Sequence, residues 1–127
     1  MSDGQRPEVG SVGWQDLTTT RAPQLKDFYA KVVGWKVEEF DMGGYADFVM
    51  KSPETGNAVA GICNARGVNT DLPAQWLLYV TVADLAASVR QCVELGGQVV
   101  LQRDDHNGMA VIRDPAGAVI ALVQQPR

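Results

Sequence analysis

The second half of this chain repeats the first. Gly34, Val37 and Pro53 recur as Gly96, Val99 and Pro115, a constant offset of 62 (96 − 34, 99 − 37, 115 − 53). An extra residue in the turn Ser52–Gly56 lowers the offset to 61, so Gly56 matches Gly117 and Ala60 matches Ala121. An extra residue before the first helix raises it to 63, so Trp14 matches Leu77 and Asp16 matches Tyr79. A period near half of 127 residues is too long for a solenoid unit. It describes one supersecondary motif used twice, with a ligand cavity expected between the two copies.

Each copy reads β-α-β-β-β. In the first, the pattern predicts a strand over Val12–Thr18 and a helix over Pro23–Val33. The helix carries Leu25, Phe28, Tyr29 and Val32 at helical spacing and stops at Gly34. Strands follow over Trp35–Phe40, Tyr45–Met50 and Ala58–Cys63, separated by Gly43-Gly44 and by Pro53 to Gly56. In the second, a strand over Trp76–Val82 leads into a helix that Asp84 caps and that carries Leu85, Val89, Cys92 and Val93. After Gly96-Gly97, strands are expected over Gln98–Leu101, Met109–Arg113 and Ala118–Gln124. This gives a flexible N-terminal tail over 1–10 and a single domain over 11–127. Within the domain, module one covers 11–63, a polar linker 64–74 and module two 75–125.

Composition removes several function classes. Eleven Lys+Arg against fifteen Asp+Glu give a net charge of −4, which argues against a nucleic-acid partner. No run approaches the about 18 apolar residues of a membrane span, and residues 1–10 lack the apolar segment of a signal peptide. The expected location is cytoplasmic. The two cysteines, Cys63 and Cys92, are read as small buried hydrophobes. Histidine occurs once, as His106, whereas most transition-metal sites use two or three imidazoles.

The stretches DFYAKVVGW (Asp27–Trp35), VADLAASVRQCVELGGQVV (Val82–Val100) and IRDPAGAVIALVQ (Ile112–Gln124) carry a family resemblance. With WQDLTTT (Trp14–Thr20) and AVAGI (Ala58–Ile62), they resemble the vicinal oxygen chelate superfamily of glyoxalase I, bleomycin-resistance proteins and extradiol dioxygenases. The chain looks like a subgroup whose first strand opens W-x-x-L. The resemblance implies an α+β fold in which the two modules form an open, barrel-like mixed sheet, helices outside and a cavity inside. It also implies a homodimer. Catalytic members hold a divalent metal through four strand positions, which map here onto Trp14, Ala60, Leu77 and Ala121. None of these side chains can ligate a metal, so no cofactor is expected. The resemblance then implies a small-molecule binding protein without metal, its ligand small and possibly aromatic. The alternative is a lyase, isomerase or dioxygenase on the same scaffold.

Strand alternation places Trp14, Asp16 and Thr18 on one face, and Leu77, Tyr79 and Thr81 on the matching face of module two. Asp16 beside a Trp is a candidate general base, or it simply hydrogen-bonds a neighbouring strand or Tyr79. Tyr79 is a candidate ligand contact. Asp47 is either a solvent-side residue or a cavity acid. His106, in the polar run Arg103–Gly108, is either a rim residue that titrates near neutrality or part of a solvated hairpin. The candidate ligand-binding set is therefore Trp14, Asp16, Asp47, Leu77, Tyr79 and His106. Trp35 and Trp76 read as packing anchors, and Asp114–Gly117 as a structural turn.

Overall fold

The structure, a computed structural model, describes residues 6–105 and 108–126. Its elements are β1 (Val12–Thr19), α1 (Ala22–Val33), β2 (Lys36–Asp41), β3 (Ala46–Lys51), β4 (Ala58–Asn64), β5 (Trp76–Val82), α2 (Leu85–Glu94), β6 (Gln98–Arg103), β7 (Met109–Arg113) and β8 (Val119–Gln124). A short 3-10 turn, Gly67–Asn69, interrupts the expected linker. The class is α+β, with β-α-β-β-β twice over, and the expected strand ends lie within two residues of the observed ones, those of β5 and β7 coinciding. No helix among the described residues is long and apolar enough to cross a membrane.

Two compact units result, one formed by Trp14–Trp76 and the other by Leu77 onward together with the segment ending at Gly13. In the first unit the strand order is β2-β3-β4-β1, with β1 parallel to β4 and the other neighbours antiparallel. In the second it is β5-β8-β7-β6, with β5 parallel to β8 and the rest antiparallel. Both are open mixed sheets with one helix on one face.

Helix-side packing follows strand alternation. Phe48 and Met50 of β3 and Ala60 and Ile62 of β4 are buried with Ala22 against α1. In the second unit Leu85, Ala110 and Leu122 form the buried cluster, flanked by Val80, Val82, Val89 and Ile112. Asp84 caps α2, its carboxylate accepting from the Ala87 N–H at 3.1 Å. Gly97 is required by close approach: a Cβ there would lie 2.5 Å from Cys92 Sγ and 2.9 Å from the Arg113 carbonyl. Trp35 and Trp76 are packing anchors, stacked edgewise at 5.8 Å, and Trp76 Nε1 donates to the Tyr29 hydroxyl at 3.1 Å.

Three expectations change. The apolar stripe of α1 is only half used: Leu25 and Tyr29 turn inward, whereas Phe28 and Val32 are 53% and 65% exposed. Residues 6–10, expected in a flexible tail ahead of module one, are tied instead to the second unit. Gly10 N–H donates to the Thr81 carbonyl (2.8 Å), and Thr81 N–H donates to the Ser11 carbonyl (3.0 Å). Gln125 Nε2 reaches the Pro7 carbonyl (2.9 Å) and Arg6 the Pro126 carbonyl (3.1 Å). The third change is in register. Asp16 pairs with Gly61 and Thr18 with Cys63, while Tyr79 pairs with Ala121 and Thr81 with Val123. The last strands therefore match at an offset of 60 (121 − 61, 123 − 63), not 61.

Candidate functional site

A pocket of about 280 Å³ opens on the face of the first sheet opposite α1. Because Phe48, Met50, Ala60 and Ile62 turn their side chains toward α1, alternation sends Asp47, Val49, Gly61 and Cys63 the other way. Trp14 and Asp16 of β1, with Phe40 and Met42 from β2 and its turn, complete the walls. Gly61 keeps the floor open. A Cβ there would lie 3.2 Å from the Asp16 Cβ and 3.5 Å from the Trp14 ring.

Asp47 is held in place by one neighbour. Its Oδ1 accepts from both the backbone N–H (2.9 Å) and the Nδ2 (3.0 Å) of Asn64, and the same Nδ2 donates to the Ala46 carbonyl at 2.6 Å. The β3–β4 pairing brings these residues together, so the carboxylate is fixed by the last residue of β4. Of the candidate residues, Trp14, Asp16 and Asp47 thus share this pocket.

Cys63 belongs to it too, which a reading of Cys63 as a buried hydrophobe misses. Burial pushes its thiol from 9.0 up to about 12, and the charges of Asp16 and Asp47 push in the same direction. At neutral pH it is an un-ionised thiol, neither a nucleophile nor a ready metal ligand. Strand parity groups Cys63 with Gly61, but the sequence does not tell their face from that of Ala60, the position expected in the cavity.

The remaining candidates lie in the second unit. Tyr79 lines a pocket of about 210 Å³ with Arg103, Asp105, Met109 and Val123, where Arg103 and Asp105 form an exposed ion pair at 2.6 Å. Leu77 is only 3% exposed and lines neither pocket. His106 lies outside the described residues. A larger groove of about 510 Å³ beside α2 is walled by Val9, Val80, Val82 and Ala87, and its one acid, Asp84, is engaged as the helix cap.

The metal positions of the resemblance need one correction. Ala60 is fully buried on the α1 side, and Gly61 occupies the pocket face of β4 in its place. Trp14, Gly61, Leu77 and Ala121 still present no carboxylate, imidazole or thiolate. Among the described residues no group of three or more His, Cys, Asp or Glu is placed to hold an ion. Among the described residues, the side chains at these four positions do not fit the superfamily's metal.

Comparison with known proteins places this geometry. A family model described as a glyoxalase-like domain matches residues 15–123. The chain is 33% identical over 122 residues to CFP32 of Mycobacterium tuberculosis, named as a candidate glyoxylase, covering 93% of this chain and 47% of that protein. It is 33% identical over 117 residues to the anthracycline biosynthesis protein DnrV of Streptomyces peucetius, covering 91% and 42%. The chain thus spans about half the length of the curated relatives it matches. Its fold is that of a glyoxalase/bleomycin resistance protein/dioxygenase superfamily member from Vibrio splendidus, with TM-score 0.56, 10% identity, and coverage of 90% and 99%. With the doubled β-α-β-β-β unit and the family match over most of its length, the chain belongs to the glyoxalase-like domain family.

Proposed function

We propose that this protein binds a small, partly aromatic ligand in the first unit's pocket and does so without the superfamily's metal. The observation that carries the reading is the pocket's composition: the rings of Trp14 and Phe40 beside the carboxylates of Asp16 and Asp47. Aromatic walls supply area and stacking, and the carboxylates orient the ligand by accepting its hydrogen bonds. Similarity to a relative named for anthracycline biosynthesis supports an aromatic ligand, since anthracyclines are built on fused rings.

The test is a titration with 2-naphthylmethanol, followed by tryptophan fluorescence and calorimetry. Saturable binding is expected, weakened about tenfold by Trp14→Ala. No binding to the folded wild-type protein would overturn the reading. Metal analysis of the purified protein tests the second half: stoichiometric nickel, zinc, manganese or iron would sink it.

A second reading is a lyase or isomerase in which Asp16 is the general base. Its place on the same pocket wall as Trp14 favours this. Turnover left intact by Asp16→Asn would remove it. A homodimer in the cytoplasm completes the proposal. Its support is the chain's half-length match to its relatives and the exposed Phe28 and Val32 on α1. Light scattering that shows only monomer would refute the dimer.

A further inference from the structure

We infer that Asp47, oriented by Asn64, is the specificity-determining residue of the first unit's pocket. It selects aromatic ligands that present a neutral hydrogen-bond donor, such as a ring N–H or a phenolic O–H, over isosteres that carry only an acceptor. The inference rests on the aromatic-binding reading and adds the polar group that the ligand must carry.

The two carboxylate oxygens of Asp47 stand in different situations. Oδ1 accepts twice from Asn64, from the backbone N–H at 2.9 Å and from Nδ2 at 3.0 Å. Nδ2 gives its other hydrogen to the Ala46 carbonyl, so the Asn64 amide cannot turn without losing both bonds. Two donors from one residue fix the plane of the carboxylate and with it the direction of Oδ2. Among the described residues Oδ2 takes no hydrogen bond, and no buried side-chain oxygen or nitrogen there lacks a partner. Oδ2 is therefore accessible, and strand alternation puts Asp47 on the pocket face, away from α1. Asp16, the other acid of the wall, has an interaction of its own and carries no part of this selection.

The surroundings decide how much the pairing matters. Phe40, Met42, Val49 and the Trp14 ring line the pocket with Asp47, so a ring held among them displaces water from Oδ2. A ligand N–H or O–H replaces the lost hydrogen bond, and a carboxylate acceptor makes that bond a strong one. An acceptor-only isostere leaves the oxygen dehydrated and sets a lone pair against it, the costlier outcome. The same bonding pattern fixes what Asp47→Asn does. Asn64 presents two donors at the Oδ1 position, so the substituted amide places its oxygen there and turns its NH2 toward the ligand. One atom of the wall then changes from acceptor to donor.

The test compares indole with benzofuran, which share size and shape and differ in a ring N–H against a ring oxygen. Titrated calorimetrically into the full chain at pH 7, indole should bind about tenfold more tightly. In Asp47→Asn the ratio should fall to one or below. Asn64→Ala lets the carboxylate turn and should lower the ratio toward one, chiefly through weaker indole binding. Circular dichroism and thermal melts check that each variant is folded. The indole N–H proton resonance should move downfield on binding the wild-type protein but not Asp47→Asn, a change that a merely structural role does not produce. Equal affinity for the two probes on wild-type protein would overturn the selection and leave the aromatic reading standing, as would failure of indole to bind where 2-naphthylmethanol binds. A preference for indole kept by folded Asp47→Asn would overturn it too, by placing the donor's partner elsewhere. A ratio unchanged in Asn64→Ala would overturn the positioning role of Asn64, a result that does not require Asp47→Asn to fold. Failure of all three probes to bind would instead overturn the aromatic-binding reading.

Discussion

Cys63 sits where burial and charge act together. Its raised pKa means the folded protein holds the thiol proton more tightly than the unfolded chain does. The associated stability is fully present below pH about 9 and is lost as pH rises toward 12. Urea unfolding at rising alkaline pH should therefore show a decline that Cys63→Ala makes shallower. Alkylation of the native thiol at pH 8 should be slow for the same reason. Gly61 tests the pocket itself. Gly61→Val should abolish binding of 2-naphthylmethanol, because the added atoms meet Asp16 and Trp14. Gly61→Ala should cost about 1–2 kcal/mol in chemical denaturation, as overpacking does. Trp14, Asp16 and Asp47 were legible as candidates because strand parity is simple to read. Cys63 was not singled out, because its chemistry comes from two acids on other strands.

The repeat made both β-α-β-β-β units legible, along with both helices and the Asp84 cap. What the sequence could not supply was register within the last strand of each module. Ala60 and Ala121 align as identical residues, yet one faces a helix and the other is the partner of Tyr79. A one-residue slip inverts a strand's faces, and identity between small residues cannot detect it. The stripe on α1 misled for a related reason: helical spacing identifies apolar positions, but the packing partners decide which are covered. The contact of α2 with β6 gives a sharper prediction. Gly97→Ala drives a Cβ into Cys92 Sγ and two carbonyls and should destabilise the fold by about 2–3 kcal/mol. Adding Cys92→Ala should restore only part of the loss in thermal melts, because the Arg113 and Cys92 carbonyls stay where they are.

For the molecule as a whole, the family and the two-unit organisation follow from the repeat, but the division of the chain does not. β1 begins in one unit and continues into the other, and the residues before it are hydrogen-bonded to Thr81. No periodicity marks such a segment, since it has no counterpart in the second half. Removing residues 1–12 should therefore loosen the second unit. Exchange of the Thr81 amide, protected by the Ser11 carbonyl, should accelerate at least about tenfold by hydrogen–deuterium exchange.

The bonds from Arg6 to Pro126 and from Gln125 to Pro7 hold positions near the two ends of the sequence side by side. A short peptide could join them, and the chain could be reopened in the turn-rich stretch between β4 and β5. In that circular permutant each compact unit would be almost one uninterrupted stretch, so the linear order now in use is one of two that the same architecture can carry.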